Sequence, residues 1–126
     1  MLVDMDAQAT VPVKDLTKAR TFYEQVVGLK PVGGDANRGV QTYRAGKSRL
    51  VVYESQFAGT NQATTVTWSL GGQFDVVMRE LTAKGVVFER YDMPGVKMDG
   101  DVHMFGDSRV AWFKDPDGNI HNLGNY

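Results

Sequence analysis

The chain has 126 residues, no cysteine, and a formal net charge of -1, with 14 basic against 15 acidic side chains. That length suits one domain with a sizeable core, and the lack of cysteine excludes disulfides, thiolate zinc sites and cysteine nucleophiles. There is no basic block, acidic tail, signal-like start or long apolar run, so the expectation is a soluble cytoplasmic protein that binds neither nucleic acid nor membrane.

The first half opens with "QATVPV" (8–13), which has strand composition. Asp15 follows as a good helix N-cap. "LTKARTFYEQVV" (16–27) then sets Leu16, Ala19, Phe22, Tyr23 and Val26 at helical spacing, and Gly28 supplies the stop. Strands are predicted over "LKPVG" (29–33), "VQTYRA" (40–45) and "RLVVYE" (49–54), with breaks at "GGDANRG" and "GKS". The polar linker "SQFAGTNQAT" (55–64) leads to the second half. There "TTVTWSL" (64–70) reads as a strand, and "FDVVMRELTAK" (74–84) puts Phe74, Val77, Met78 and Leu81 on one helical face before Gly85. "VVFERY" (86–91) is the next predicted strand and "DMPGVKMDGD" (92–101) a loop. "VHMFGD", "SRVAWFKD" and "NIHNL" complete the strands.

The stop glycines Gly28 and Gly85 lie 57 residues apart, and the order of elements recurs at about that offset. An internal repeat is the reading, with one module over about 7–57 and another over about 64–124. One amphipathic helix per module and many alternating strands argue an α+β fold. Each helix covers one face of a sheet, and the other faces meet each other or a ligand.

"FKDPDGNIHN" (113–122) can be read more finely. Pro116-Asp117-Gly118 suits a three-residue hairpin loop, with Gly118 in the left-handed position. Asp115 then pairs with Asn119, Trp112 stands opposite Asn122, and Phe113 opposite His121. Side chains alternate along a strand, so Trp112 and Asn122 share one face. Ala111, Phe113, His121 and Leu123 share the other, the better candidate for packing on a helix.

Two stretches resemble the vicinal-oxygen-chelate superfamily, which includes glyoxalase I, extradiol dioxygenases, and fosfomycin- and bleomycin-resistance proteins. "VPVKDLTKARTFYEQVVGLKPV" is similar to its opening strand and helix, and "FKDPDGNIHNL" to its closing hairpin. The resemblance implies two tandem βαβββ modules whose curled sheets form a cleft, and a homodimer. Metal-dependent members hold an ion with His, Glu or Gln on cleft-facing strands, as Lewis acid and template. Carried over residue by residue, the first ligand position is Gln8, the position on the fifth strand is Val66 with Thr65 beside it, and the last is Asn122. The strand-four position lies within "LVVYES", where Glu54 is the charged candidate and Tyr53 the alternative. Valine cannot ligate, and an amide brings no charge to a divalent ion. A set of Gln8, Glu54 and Asn122 would hold a hard cation loosely. No metal or other cofactor is therefore expected.

Trp112 shares a face with Asn122, and in fosfomycin-resistance relatives the corresponding position carries a substrate-contacting aromatic. Trp68 lies two residues beyond Val66 and is expected on the same face. Gln8, Trp68, Trp112 and Asn122 are thus the expected lining of a small-molecule site, suited to a flat or cationic ligand. Glu54 and His103 are the candidates for acid or base work, His103 as a general base near the cleft mouth or else as a packing histidine. His121 is expected to point away from the site. The expected function is binding of a small organic molecule without a family-type metal. The alternatives are a metal-dependent lyase or dioxygenase with altered ligands, and a dimeric binding module without turnover.

Overall fold

Asp15 starts the first helix as its position predicts: its Oδ1 accepts the backbone N–H groups of Thr17 at 2.9 Å and Lys18 at 3.3 Å. In the computed structural model, which describes residues 1–126, the chain divides into two units, Met1–Asn61 and Gln62–Tyr126. The first holds β1 (Ala9–Val13), α1 (Leu16–Thr21), β2 (Lys30–Asp35), β3 (Val40–Ala45) and β4 (Ser48–Glu54). The predicted helix over 16–27 is α-helical only to Thr21, then widens into a π-helical turn over Phe22–Val26. Val27 N–H accordingly donates to Phe22 O at 3.0 Å. The wider turn brings consecutive residues onto Tyr43. Tyr23 stacks on its ring at 6.2 Å, and Glu24 accepts its hydroxyl at 2.9 Å.

The sheet order is β1-β4-β3-β2, with β1 parallel to β4. Val11, Val13, Tyr43, Leu50 and Val52 alternate onto one face and are buried there with Leu16 and Ala19 of α1. Thr10, Pro12, Val51 and Tyr53 line the other face. Strand β2 is the outer edge, exposed along its length, with a bulge between Pro31 and Gly33. Gly34 is needed here: its φ is +106°, and a Cβ would come within 2.6 Å of Val40 O.

The second unit holds β5 (Thr64–Ser69), α2 (Phe74–Ala83), β6 (Lys97–Asp99), β7 (Val102–Phe105), β8 (Ser108–Lys114) and β9 (Ile120–Gly124). Its order, β5-β9-β8-β7-β6, repeats the first sheet's path and adds β6 as an extra edge. The fold is α+β, two tandem βαβββ modules, the second with one strand more. The predicted strand over 86–91 forms only a bridge, Phe88 to Phe113, with Glu89 N–H donating to Trp112 O at 2.8 Å. The extra strand arises instead within the predicted loop 92–101. The reason is that the lane beside β8 is shared. β7 pairs with Ser108–Val110, which leaves Trp112 and Phe113 for the 88–89 segment.

The closing hairpin has the predicted register, Trp112 opposite Asn122 and Phe113 opposite His121. Asp115 holds its loop. The backbone of Asp115 exchanges bonds with Asn119 and Gly118, and Gly118 sits at φ +90°. Its Oδ1 accepts Asp117 N–H and Asn119 N–H, both at 2.9 Å, and its Oδ2 accepts Asn119 Nδ2 at 2.8 Å. Both residues are buried, so these bonds form away from competing water. Asp115→Ala is expected to cost roughly 3 kcal/mol, because it strands buried donors of the loop. Urea denaturation measures this, and a loss near zero would show that the loop holds its shape without the carboxylate.

Candidate functional site

Strand alternation sorts the second sheet into two faces of different character. One face carries Arg109, Ala111 and Phe113 from β8 with His121 and Leu123 from β9. Arg109 lies 4.8 Å over the Phe74 ring and pairs with Asp75 at 2.8 Å, so this is the side that α2 covers. His121 is fully buried, stacked at 4.8 Å on Phe113, and burial pushes its pKa down to about 4. As expected, it points away from Asn122.

Trp68 departs from expectation. β5 runs parallel to β9 with Val66 beside His121, Thr67 beside Asn122 and Trp68 beside Leu123. Neighbouring strand partners point to the same side, so Val66 and Trp68 face α2, and Trp68 does not share a face with Trp112. Its indole Nε1–H donates to His121 Nδ1 at 3.0 Å. The physical cause is the pairing register, which shifts between Thr64 and Val66. Thr67 is the β5 residue that stands beside Asn122.

The opposite face centres on Trp112, which is half-buried. Three rings surround it, roughly perpendicular to it: His103 at 4.8 Å, Tyr91 at 5.4 Å and Phe105 at 6.4 Å. Its Nε1–H donates to Thr64 Oγ1 at 3.3 Å. Asn122 stands beside it on β9, 5% exposed, and its Oδ1 accepts the hydroxyl of Tyr126 at 2.5 Å. Tyr126 lies against Gly124, where any Cβ would overlap its ring.

His103 is 0% exposed and belongs to the heart of this face, at the β7 position paired with Val110. Its Nε2 accepts Tyr91 N–H at 2.9 Å, while Nδ1 has no partner. A neutral imidazole with Nε2 as acceptor carries its proton on Nδ1. Of the two expected roles, general base or packing histidine, this burial and geometry fit the packing one, with Nδ1–H as the donor. The Tyr91 hydroxyl is also buried without a partner, and burial, then the Glu89 charge, raises its pKa.

The remaining predicted residues lie in the first unit. Gln8 precedes β1 and is exposed. Glu54 continues the Leu50–Val52 alternation on the α1 side, exposed at the strand end, with Tyr53 on the opposite face. Parallel pairing runs from Ala9 beside Leu50 to Val13 beside Glu54. Gln8 and Glu54 are therefore at opposite ends of the strand pair, about 13 Å or more apart, and cannot meet at one ion. No three His, Asp or Glu side chains come together in a way that could hold a metal. The donor set does not fit a divalent ion, since Asn122 is neutral and Val66, at the expected β5 position, carries no ligating atom and faces α2. Tyr91, Tyr126 and Thr67 were not predicted. Gly124, beside a ring that needs its missing side chain, was the only sequence signal for Tyr126.

The sequence model of the glyoxalase/bleomycin resistance protein/dioxygenase superfamily matches residues 7–122. No curated protein is detectably similar in sequence. Among solved structures, an integron cassette protein from the mobile metagenome of the Halifax Harbour sewage outfall superposes with a TM-score of 0.72 at 16% identity, covering 98% of this chain and 100% of that one. The fosfomycin resistance protein FosX from Mesorhizobium loti gives 0.69 at 13% identity, over 100% and 94%. A lactoylglutathione lyase from Agrobacterium tumefaciens gives 0.68 at 17%, over 96% and 92%.

The buried His121 sets a pH dependence. Its folded pKa of about 4 lies below its ordinary 6.5, so the unfolded chain binds the proton more tightly. The neutral ring supports folding fully above the unfolded value, and that support drains away as pH falls towards the folded one. The loss amounts to roughly 3 kcal/mol across that window. His121→Phe keeps an aromatic ring there and cannot titrate. Unfolding free energies measured from pH 7.5 to 4.5 are expected to fall less steeply for the variant than for the parent; parallel profiles would refute the assignment.

Proposed function

The chain belongs to the glyoxalase/bleomycin resistance protein/dioxygenase superfamily, and on that premise we propose that it binds a small, flat organic molecule on the face of its second sheet opposite α2. The observation that carries this is Trp112, half-buried at the centre of a ring of Tyr91, His103 and Phe105. Its N–H is already bonded to Thr64, so what it offers a ligand is π surface. Stacking of a flat ring there is worth about 0.5–1.5 kcal/mol beyond the area buried. Asn122 and His103 supply the polar groups that fix a ligand's orientation.

Binding needs no divalent metal in this reading. The donors at the expected ligand positions support it: Asn122 is neutral and engaged by Tyr126, and β5 offers Thr67 beside it. The role that this reading gives the chain is capture of an aromatic compound.

The test uses 2-acetylnaphthalene with protein treated with EDTA and exchanged into metal-free buffer, followed by calorimetry and tryptophan fluorescence. Saturable binding is expected, unchanged by added zinc, nickel or manganese. Trp112→Ala is expected to weaken it about tenfold or more, equivalent to roughly 1.4 kcal/mol. Fosfomycin and lactoylglutathione are expected not to bind. Binding that appears only after a divalent metal is added would overturn the proposal in favour of a metal-dependent lyase or dioxygenase.

A further inference from the structure

Two Asp-Gly pairs occur in the chain, Asp99-Gly100 and Asp117-Gly118, both in hairpin loops of the second unit. In this dipeptide the carboxyl carbon is open to attack by the next residue's backbone nitrogen, because glycine has no side chain to block the approach. The structure treats the two pairs differently. Gly118 N–H donates to Asp115 O at 3.0 Å, and Asp117 N–H donates to the buried Asp115 carboxylate at 2.9 Å. Gly100 N–H donates to nothing. Asp99 pairs with Val102, which leaves Gly100 and Asp101 as a two-residue loop with Gly100 at φ +61°. Such a loop is closed by bonds between its flanking residues, so the amide joining Asp99 to Gly100 is left to solvent. The contacts that hold the loop fall elsewhere. Arg90 Nη1 donates to Gly100 O and lies 3.6 Å from Asp101 Oδ1. Asp99, Gly100 and Asp101 are all exposed, and the Asp99 carboxylate makes no hydrogen bond or ion pair.

We propose that Asp99-Gly100 is a self-modification site, at which the folded chain converts aspartate to isoaspartate, and that Asp117-Gly118 is protected. In the first step the Gly100 nitrogen bonds to Cγ of the protonated Asp99 carboxyl. The amide proton and the carboxyl hydroxyl leave together as water, and a succinimide ring closes. In the second step water adds back at either ring carbonyl, and the C–N bond at that carbonyl breaks. Attack at Cγ restores aspartate. Attack at the main-chain carbonyl carbon leaves the chain running through Cβ, with a free α-carboxylate as the side group. No oxidant, reductant or cofactor enters, and the net composition is unchanged. Ring closure requires Asp99 to turn out of its extended conformation. Little opposes that, since β6 is a three-residue edge strand exposed throughout. Asp117 cannot turn until the bonds to Asp115 open. The β-linkage lengthens the main chain at the loop, so the pairing of Lys97, Met98 and Asp99 with Met104, His103 and Val102 no longer fits. The strand that distinguishes the second unit from the first is the one that ageing releases.

Trypsin separates the two pairs, one in the peptide 98–109 and the other in the peptide 115–126. The protein is held at neutral pH and body temperature for several weeks and digested at mildly acidic pH. The isomers, equal in mass, are resolved by chromatography and located by electron-transfer fragmentation. Isoaspartate is expected to accumulate at residue 99 about tenfold or more faster than at residue 117, whose loop bonds must open first. In urea, where both contexts are open, the two rates are expected to come within about threefold of each other. Asp99→Glu keeps the exposed charge but would have to close a larger ring. It is expected to abolish the isomer of 98–109 and to melt at the parent's temperature. The isomerised fraction is expected to exchange its β6 and β7 amide hydrogens faster than fresh protein, and unchanged exchange would refute the release of β6. Residue 117 isomerising as fast as residue 99 in the folded protein would overturn the proposal. So would the absence of isoaspartate at residue 99, whether or not the unfolded chain forms it, or an isomer of 98–109 that persists in Asp99→Glu.

Discussion

The carboxylate of Asp115 decides which way the second sheet faces. It closes the β8–β9 loop from inside, with three bonds to Asp117 and Asn119. That closure sets Trp112 against Asn122. A slip of one residue would exchange the faces. Asn122 would go to the side covered by α2, and the His121 ring would leave its stack on Phe113. Strand β9 is buried throughout and lies between β5 and β8, so its register propagates outward in both directions. The helix side and the Trp112 side of this unit are both consequences of one buried loop.

Elements written in short-range chemistry were legible in the sequence. Asp15, Gly28, Gly85 and the Asp-Pro-Asp-Gly loop each act on neighbours a few residues away, and each does what its residue type dictates. The repeat of one helix and several strands was legible for the same reason. Where the reading failed, the deciding partner was distant. Trp68 faces the helix because of how β5 aligns with β9, some fifty residues later in the chain. Nothing in "TTVTWSL" encodes the register shift that moves it. The strand expected over 86–91 lost its lane to β7, a competition that local composition cannot reveal. Glu54 and Gln8 were joined by analogy, and parallel pairing puts them at opposite ends of a strand pair.

The candidate site was half legible. Trp112 and Asn122 were placed on one face because the hairpin loop defines their register. Tyr91 and Tyr126 were missed because neither lies in a regular strand. Their effect is to change the chemistry of residues that were found. A histidine read as a base becomes a donor once a backbone N–H occupies its lone pair. An asparagine whose amide could turn either way has its orientation fixed once a hydroxyl holds its oxygen. Residue type states what a side chain can do, and the second partner selects which half of that capacity is offered.

The bulged, glycine-rich outer strand of the first sheet also limits how this protein can meet copies of itself. Strand β2 lies fully exposed at the sheet margin, where an unpaired backbone ordinarily invites another chain to add on. Here Pro31 lacks an amide hydrogen, the bulge bends the line of carbonyls, and Lys30 and Asp35 put charge at the two ends. A visiting strand would find few consecutive bonds to make. This margin is therefore a poor template for edge-to-edge polymerisation, a safeguard against aggregation built into the same irregularity that requires Gly34.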